Sequence, residues 1–161
     1  MKNVYVGLDT AKVMGAAIWF PRQQKAWVEE CKGSPLAQWK FIQDLLYPVP
    51  EEDVVFVFEK QHNFYNAKTT RSLLERYGFL KFSILGSTRC QVREVSPKVA
   101  RAYLETSTKK ETFRRFIPYF AGDYLTDNHT DALAVAIYES HTDGLELNWS
   151  KLSVVQHEVI G

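Results

Sequence analysis

The segment Val54-Val55-Phe56-Val57-Phe58 is an unbroken run of β-branched and aromatic residues, and it stops at Glu59. A strand with one face in water alternates apolar and polar residues. A strand without that alternation is covered on both faces, as central strands of parallel sheets are. Two covered faces require helices above and below, so this run points to an α/β architecture. Its surroundings agree. Upstream, Leu36, Trp39, Phe41, Ile42 and Leu45 recur near helical spacing behind Ser34 and Pro35, and Pro48 and Pro50 end the stretch. Downstream, Leu73, Leu74, Tyr77, Leu80, Ile84 and Leu85 fit one long helix starting near residue 67, with Gly78 inside it.

The N-terminal pattern differs. Residues 3–9 predict a strand ending at Asp9, Val13 to Phe20 a second and Lys25 to Glu30 a third. Pro21-Arg22-Gln23 supplies a turn, so these three form an antiparallel meander. Gln91 to Ser96 predicts a further strand, halted by Pro97. Pro97 to Leu104 and Lys109 to Ile117 predict two short helices. Thr126-Asp127 caps a last helix, in which Ala132-Leu133-Ala134-Val135-Ala136-Ile137 is apolar nearly all round and therefore buried. His141 and Gly144 mark its end. One domain over residues 1–144 accounts for these elements, and residues 145–161 form a tail that packs on the domain or on a partner. A chain of 161 residues suffices for one core.

The formal net charge is +1, which taken as uniform argues against a nucleic-acid partner. The charge is not uniform. Residues 61–118 carry +8, between −1 over residues 1–60 and −6 over residues 119–161. Within the basic middle, Lys68, Arg71, Lys98, Arg101, Lys109, Lys110, Arg114 and Arg115 are candidates for phosphate contacts, whose affinity would fall steeply with salt; a solvated basic face is the plainer reading. Cys31 and Cys90 form neither a disulfide framework nor a zinc-ligand pattern. No apolar run approaches the ~20 residues that span a bilayer. No phosphate-binding glycine loop is present, so no nucleotide cofactor is expected. The strand-like start, without a signal-peptide pattern, leads us to expect a cytoplasmic protein.

Acidic residues fall where elements end. Asp9 closes the first strand, Glu59 closes the apolar run, and Asp127 and Asp131 open the last helix. If the strands bearing Asp9 and Glu59 are parallel neighbours, ~4.8 Å apart, their carboxylates share the sheet edge where α/β proteins place their sites. Asp127 and Asp131, four apart, share a helix face. Singly, each has an ordinary explanation: a turn residue at Asp9, an exit to solvent at Glu59, an N-cap at Asp127. Asp131 is the sharpest, because a carboxylate in a buried helix needs a partner or a metal. Together, hard carboxylate oxygens in this pattern suit Mg²⁺ or Mn²⁺ and in-line phosphodiester hydrolysis.

These residues carry a resemblance. Gly7-Leu8-Asp9 followed by Gly15-Ala16-Ala17-Ile18, then Phe58-Glu59-Lys60-Gln61, then Asp131-Ala132-Leu133-Ala134-Val135-Ala136-Ile137, resemble in order and spacing the three motifs of RuvC-type Holliday-junction resolvases, of the RNase H-like superfamily. The resemblance implies a mixed five-stranded sheet, three antiparallel strands then two parallel ones, flanked by helices. It implies a homodimer with two Mg²⁺ ions, Mn²⁺ substituting. The implied activity is structure-selective cleavage of four-way or other branched DNA, in the recombination and repair of a bacterium or phage. Asp9, Glu59 and Asp131 carry over as metal ligands. Where the family places an Asp or His three residues before the last Asp, this chain has Asn128; Asp127 is expected to serve as fourth ligand, with Asn128 as the alternative. Arg101 and Lys110 take the places of the family's lysines near the scissile phosphate. Phe64 or Tyr65 takes the place of an aromatic that enters the junction. The rival readings are a non-catalytic branched-DNA-binding module and a superfamily nuclease with another nucleic-acid substrate.

Overall fold

A computed structural model describes residues 2–11, 13–47, 49–60 and 67–156. Strands β1 (Val4–Asp9), β2 (Val13–Phe20) and β3 (Lys25–Lys32) form the antiparallel meander. Helix α1 (Pro35–Leu46) follows, and the Ser34 side chain accepts a hydrogen bond from the Ala37 amide at its start. The apolar run is β4 (Val54–Glu59), parallel to β1 on one side and to β5 (Gln91–Val95) on the other. Between these two strands runs α2 (Ala67–Ser87), unbroken at Gly78. Then come α3 (Pro97–Tyr103), α4 (Lys109–Phe116), a two-residue strand β6 (Phe120–Ala121), α5 (Asp127–Thr142) and β7 (Ser153–Gln156).

Among the described residues the sheet has seven strands, in the order β5-β4-β1-β2-β3-β7-β6, where the resemblance implies five. The added pair lies beyond β3: β7 runs parallel to it and β6 parallel to β7. Left uncovered, β3 would expose a row of unpaired backbone groups. The segment 145–156 covers that edge, burying Leu152 and Val154, with Leu147 and Trp149 packed on the core. Four-residue and two-residue strands are too short for their alternation to show in the sequence.

Strand periodicity divides the core between two faces. Val6, Leu8, Phe56 and Phe58 pack with Ile42 and Leu80 beneath α1 and α2. Tyr5, Val55 and Val57 pack with Leu133 and Ala136 beneath α5. Asp9 and Glu59 continue the odd-numbered positions of their strands and so share the α5 face.

Two glycines let α5 settle onto that face. A Cβ on Gly7 would lie 1.8 Å from the Ala132 carbonyl oxygen, and one on Gly15 would lie 2.2 Å from that of Asn128. No larger residue fits at this helix–sheet distance. At its C-terminal end the helix is held by polar contacts. Arg93 of β5 bonds Glu139 and Asp143, each at 2.9 Å, and Trp19 Nε1 donates to Ser140 Oγ at 2.8 Å. Tyr5 also donates its hydroxyl to Asp143.

Candidate functional site

The parallel register pairs Leu8 with Phe58, so one step on, Asp9 and Glu59 stand side by side at the C-terminal edge of the sheet. The capped start of α5 completes the group. Thr126 accepts from the His129 amide, and His129 Nδ1 accepts from the Thr126 amide. That reciprocal cap fixes the helix start, and the close approach at Gly15 sets the height of the first turn above β2. Asp131 then meets the two strand-end carboxylates: one oxygen from each of Asp9, Glu59 and Asp131 lies within 4.8 Å of the others. Asp9 and Asp131 are buried, at 8% and 3% exposure, and Glu59 is half-buried.

In a dry site this crowded, the ionisation of Asp9 and of Glu59 is opposed by burial and by the neighbouring carboxylates. Burial first, then the charges of Asp9 and Asp131, push the Glu59 carboxyl up to about 9. Glu59 donates a hydrogen bond to Asp9. Burial raises Asp9 as well, against the Lys109 charge that lowers it. The donor set is hard oxygen throughout, and Thr10 Oγ1, beside Asp9, is buried without a hydrogen-bond partner among the described residues. Such a group fits Mg²⁺ or Mn²⁺ in donor chemistry and in charge.

Two cationic side chains reach the cluster. Lys109 Nζ lies 3.2 Å from Asp131 Oδ2, 3.2 Å from Asn128 Oδ1 and 3.6 Å from Asp9 Oδ2. Burial disfavours its charge, but Asp9 and Asp131 outweigh that and raise its pKa. Arg101 Nη2 lies 3.4 Å from both oxygens of Asp131, and its Nε is buried without a partner among the described residues.

The expected residues divide accordingly. Asp9, Glu59, Asp131 and Arg101 come together. Lys110, expected beside the phosphate, is exposed; Lys109 holds the inward position instead. One residue along a helix turns the side chain by ~100°, so only one of the two lysines faces the site. The Thr108 cap places Lys109 first in α4, but which of the two lysines turns inward is set by how the helix seats on the sheet. Asp127 is exposed and stands outside the carboxylate group, whereas Asn128 meets Lys109. Asp127 instead lines an open groove of about 490 Å³ with Glu30, Lys32, Phe113 and Tyr124.

Of the other basic residues, Lys98, Lys110 and Arg114 are exposed on α3 and α4. Arg115 stacks 4.4 Å over the Trp149 ring, and Arg71 pairs with Glu75 at 3.0 Å. Phe64, Tyr65 and the side chain of Lys68 lie outside the described residues. No helix among the described residues is long and apolar enough to cross a membrane.

No protein-family model matches the chain, and no curated protein matches it. Among solved structures it is similar to T. thermophilus RuvC in complex with Holliday junction substrate. That match has a TM-score of 0.68 and 17% identity, over 88% of this chain and 96% of that one. A second Thermus thermophilus RuvC structure gives 0.64 and 16%, over 88% and 97%. The chain has a RuvC-type fold.

Proposed function

We propose, on the premise of this RuvC-type fold, that the chain is a metal-dependent endonuclease that hydrolyses phosphodiester bonds in four-way or otherwise branched DNA. One observation carries the reading: Asp9, Glu59 and Asp131 converge within 4.8 Å at the edge of the sheet, with Lys109 and Arg101 against them. The solved protein with this fold is bound to a Holliday junction, which supports branched DNA as the substrate class.

Asp9, Glu59 and Asp131 would hold the divalent ions, two Mg²⁺ or Mn²⁺ when substrate is bound, with Asn128 Oδ1 as a neutral fourth donor in place of Asp127. The ions supply Lewis acidity, making water a nucleophile near neutral pH and drawing charge from the leaving oxygen. Arg101, held on Asp131, and Lys109, at the mouth, would neutralise charge on the scissile phosphate. Lys98, Lys110 and Arg114 would track the backbone on either side. Phe64 and Tyr65 are the candidates for stacking on unpaired bases at the branch point.

A four-way junction offers two equivalent strands, so cutting it symmetrically takes two sites. The outward stripe of α2 supports a homodimer. Leu74, Phe82 and Leu85 are exposed there at 49%, 72% and 48%, and nothing lies within 4 Å of a Cβ on Gly78 or Gly86. Cytoplasmic action on a bacterial or phage genome fits this reading.

Incubation with labelled four-way, flap and linear DNA, with and without Mg²⁺, tests it. The wild-type chain is expected to nick the junction symmetrically. Asp131→Asn is expected to lose at least about a hundredfold in cleavage while still binding. Equal cutting of linear DNA overturns the branched substrate. Binding without cutting under any divalent ion overturns the enzyme.

A further inference from the structure

The Lys109 ammonium does more than pair with one acid. It bridges oxygens from two elements, Asp9 Oδ2 on β1 and Asp131 Oδ2 and Asn128 Oδ1 on α5, at 3.6, 3.2 and 3.2 Å. An ion held between Asp9, Asp131 and Asn128 would use those same oxygens. We propose that Lys109 stands in one of the two cation positions of the site and yields it only when a DNA phosphate is bound. The chain alone then takes one divalent ion, and the second enters with the substrate. This rests on the nuclease reading above for the identity of the arriving phosphate.

Charge and position both support the exchange. Three carboxylates face two cationic side chains, Lys109 and Arg101. One divalent ion already over-neutralises the group, and a second would add two charges with no anion to meet them. A phosphodiester brings that anion and offers the ammonium a new partner. Asn128 lowers the negative charge further than an acid at that position would, so a single ammonium satisfies the place. The two cations differ in freedom. Arg101 has its Nε buried and contacts Asp131 through both oxygens. Lys109 starts α4 on a flexible stem, with its side chain 40% exposed, and can swing toward solvent. Linkage makes the effect reciprocal: if DNA strengthens uptake of the second ion, the ion strengthens DNA binding by the same factor.

Mn²⁺ titration, followed by calorimetry and by the spin signal of free Mn²⁺, tests this without any turnover. The wild-type chain alone is expected to bind one ion per chain with measurable affinity. Lys109→Met is expected to bind two, the second about tenfold tighter than in the wild type, and Lys109→Arg to remain at one. The wild-type chain saturated with a four-way junction of phosphorothioate linkages is expected to bind two. A thermal melt verifies that each variant is folded. Two ions on the wild-type chain alone, or superimposable isotherms for wild type and Lys109→Met, overturn the proposal. Should Lys109→Met gain its ion while the wild-type chain cuts no DNA under any divalent ion, the exchange stands and the nuclease reading fails. Cleavage with superimposable isotherms does the reverse.

Discussion

The two ends of α5 press charge against one sheet with opposite results. At the C-terminal end, Glu139 and Asp143 both meet Arg93 at 2.9 Å, and Asp143 accepts from Tyr5 as well. Burial would raise Asp143, but those hydrogen bonds and the Arg93 charge hold it below its ordinary range. At the N-terminal end, Asp131 is brought against Asp9 and Glu59, and burial together with the neighbouring carboxylates drives Glu59 up to about 9. The first cluster is complete in itself. The second, with all three carboxyls ionised, is short of positive charge even with Lys109 and Arg101 beside it. Burial of like charge is costly unless something else binds there, so the difference separates a self-satisfied cluster from a candidate binding site on a single helix.

The sharpest way to break that comparison is to lift the functional end. Gly15→Ala would drive a Cβ to 2.2 Å from the Asn128 carbonyl, and a backbone atom cannot rotate aside. Urea unfolding is expected to show a loss of about 3 kcal/mol, together with loss of divalent-ion binding. A loss under about 1 kcal/mol would mean that the close approach does not set the position of Asp131.

Glu59→Gln probes the cost of crowding next, with the opposite sign. The folded-state pKa of Glu59 lies above its unfolded value of 4.5. Its contribution is therefore fully present below pH 4.5 and is lost as pH rises toward 9. Glutamine does not titrate and escapes that loss. In chelator, the variant is expected to exceed wild type by on the order of 2 kcal/mol at pH 8 and to match it near pH 4.5, while nuclease activity disappears. Equal urea midpoints at both pH values would remove the crowding argument.

Arg93→Met gives the smallest change and addresses the structural end. The pair is partly exposed, at 21% for Arg93 and 12% for Glu139, so the expected loss is about 1–2 kcal/mol. Asp143 adds a pH signature. Its folded pKa lies below the unfolded 3.8, so its stabilisation is present above that value and lost as pH falls through the folded pKa. Without Arg93 that acid limb moves to higher pH. Junction cleavage is expected to survive; its collapse would show that the two ends are not independent.

Much of this was legible in the residues. The apolar run of β4, the meander before it and the buried helix after Thr126 each follow from local pattern, and three strand-end or helix-start acids follow from where those patterns stop. Register explains why Asp9 and Glu59 meet, and it could be anticipated from two parallel strands ending in acids. The choices between neighbours could not. Lys109 against Lys110 and Asn128 against Asp127 turn on ~100° of helix rotation, which depends on how α4 and α5 seat on the sheet. The roles of Gly7 and Gly15 depend on an approach that no spacing in the chain reveals.

Local pattern, then, determined the architecture and the carboxylates, because periodicity of 2 or 3.6 and the residues that end each element act over a few positions of chain. Tertiary packing decided the rest. It added β6 and β7 to close the edge of β3. It paired Arg93 across 46 and 50 residues with Glu139 and Asp143, removing it from the basic surface. It also turned Lys109, not Lys110, toward Asp9 and Asp131. Those outcomes depend on distances between elements far apart in the chain, such as the approach of α5 to Gly7 and Gly15, which local pattern does not encode.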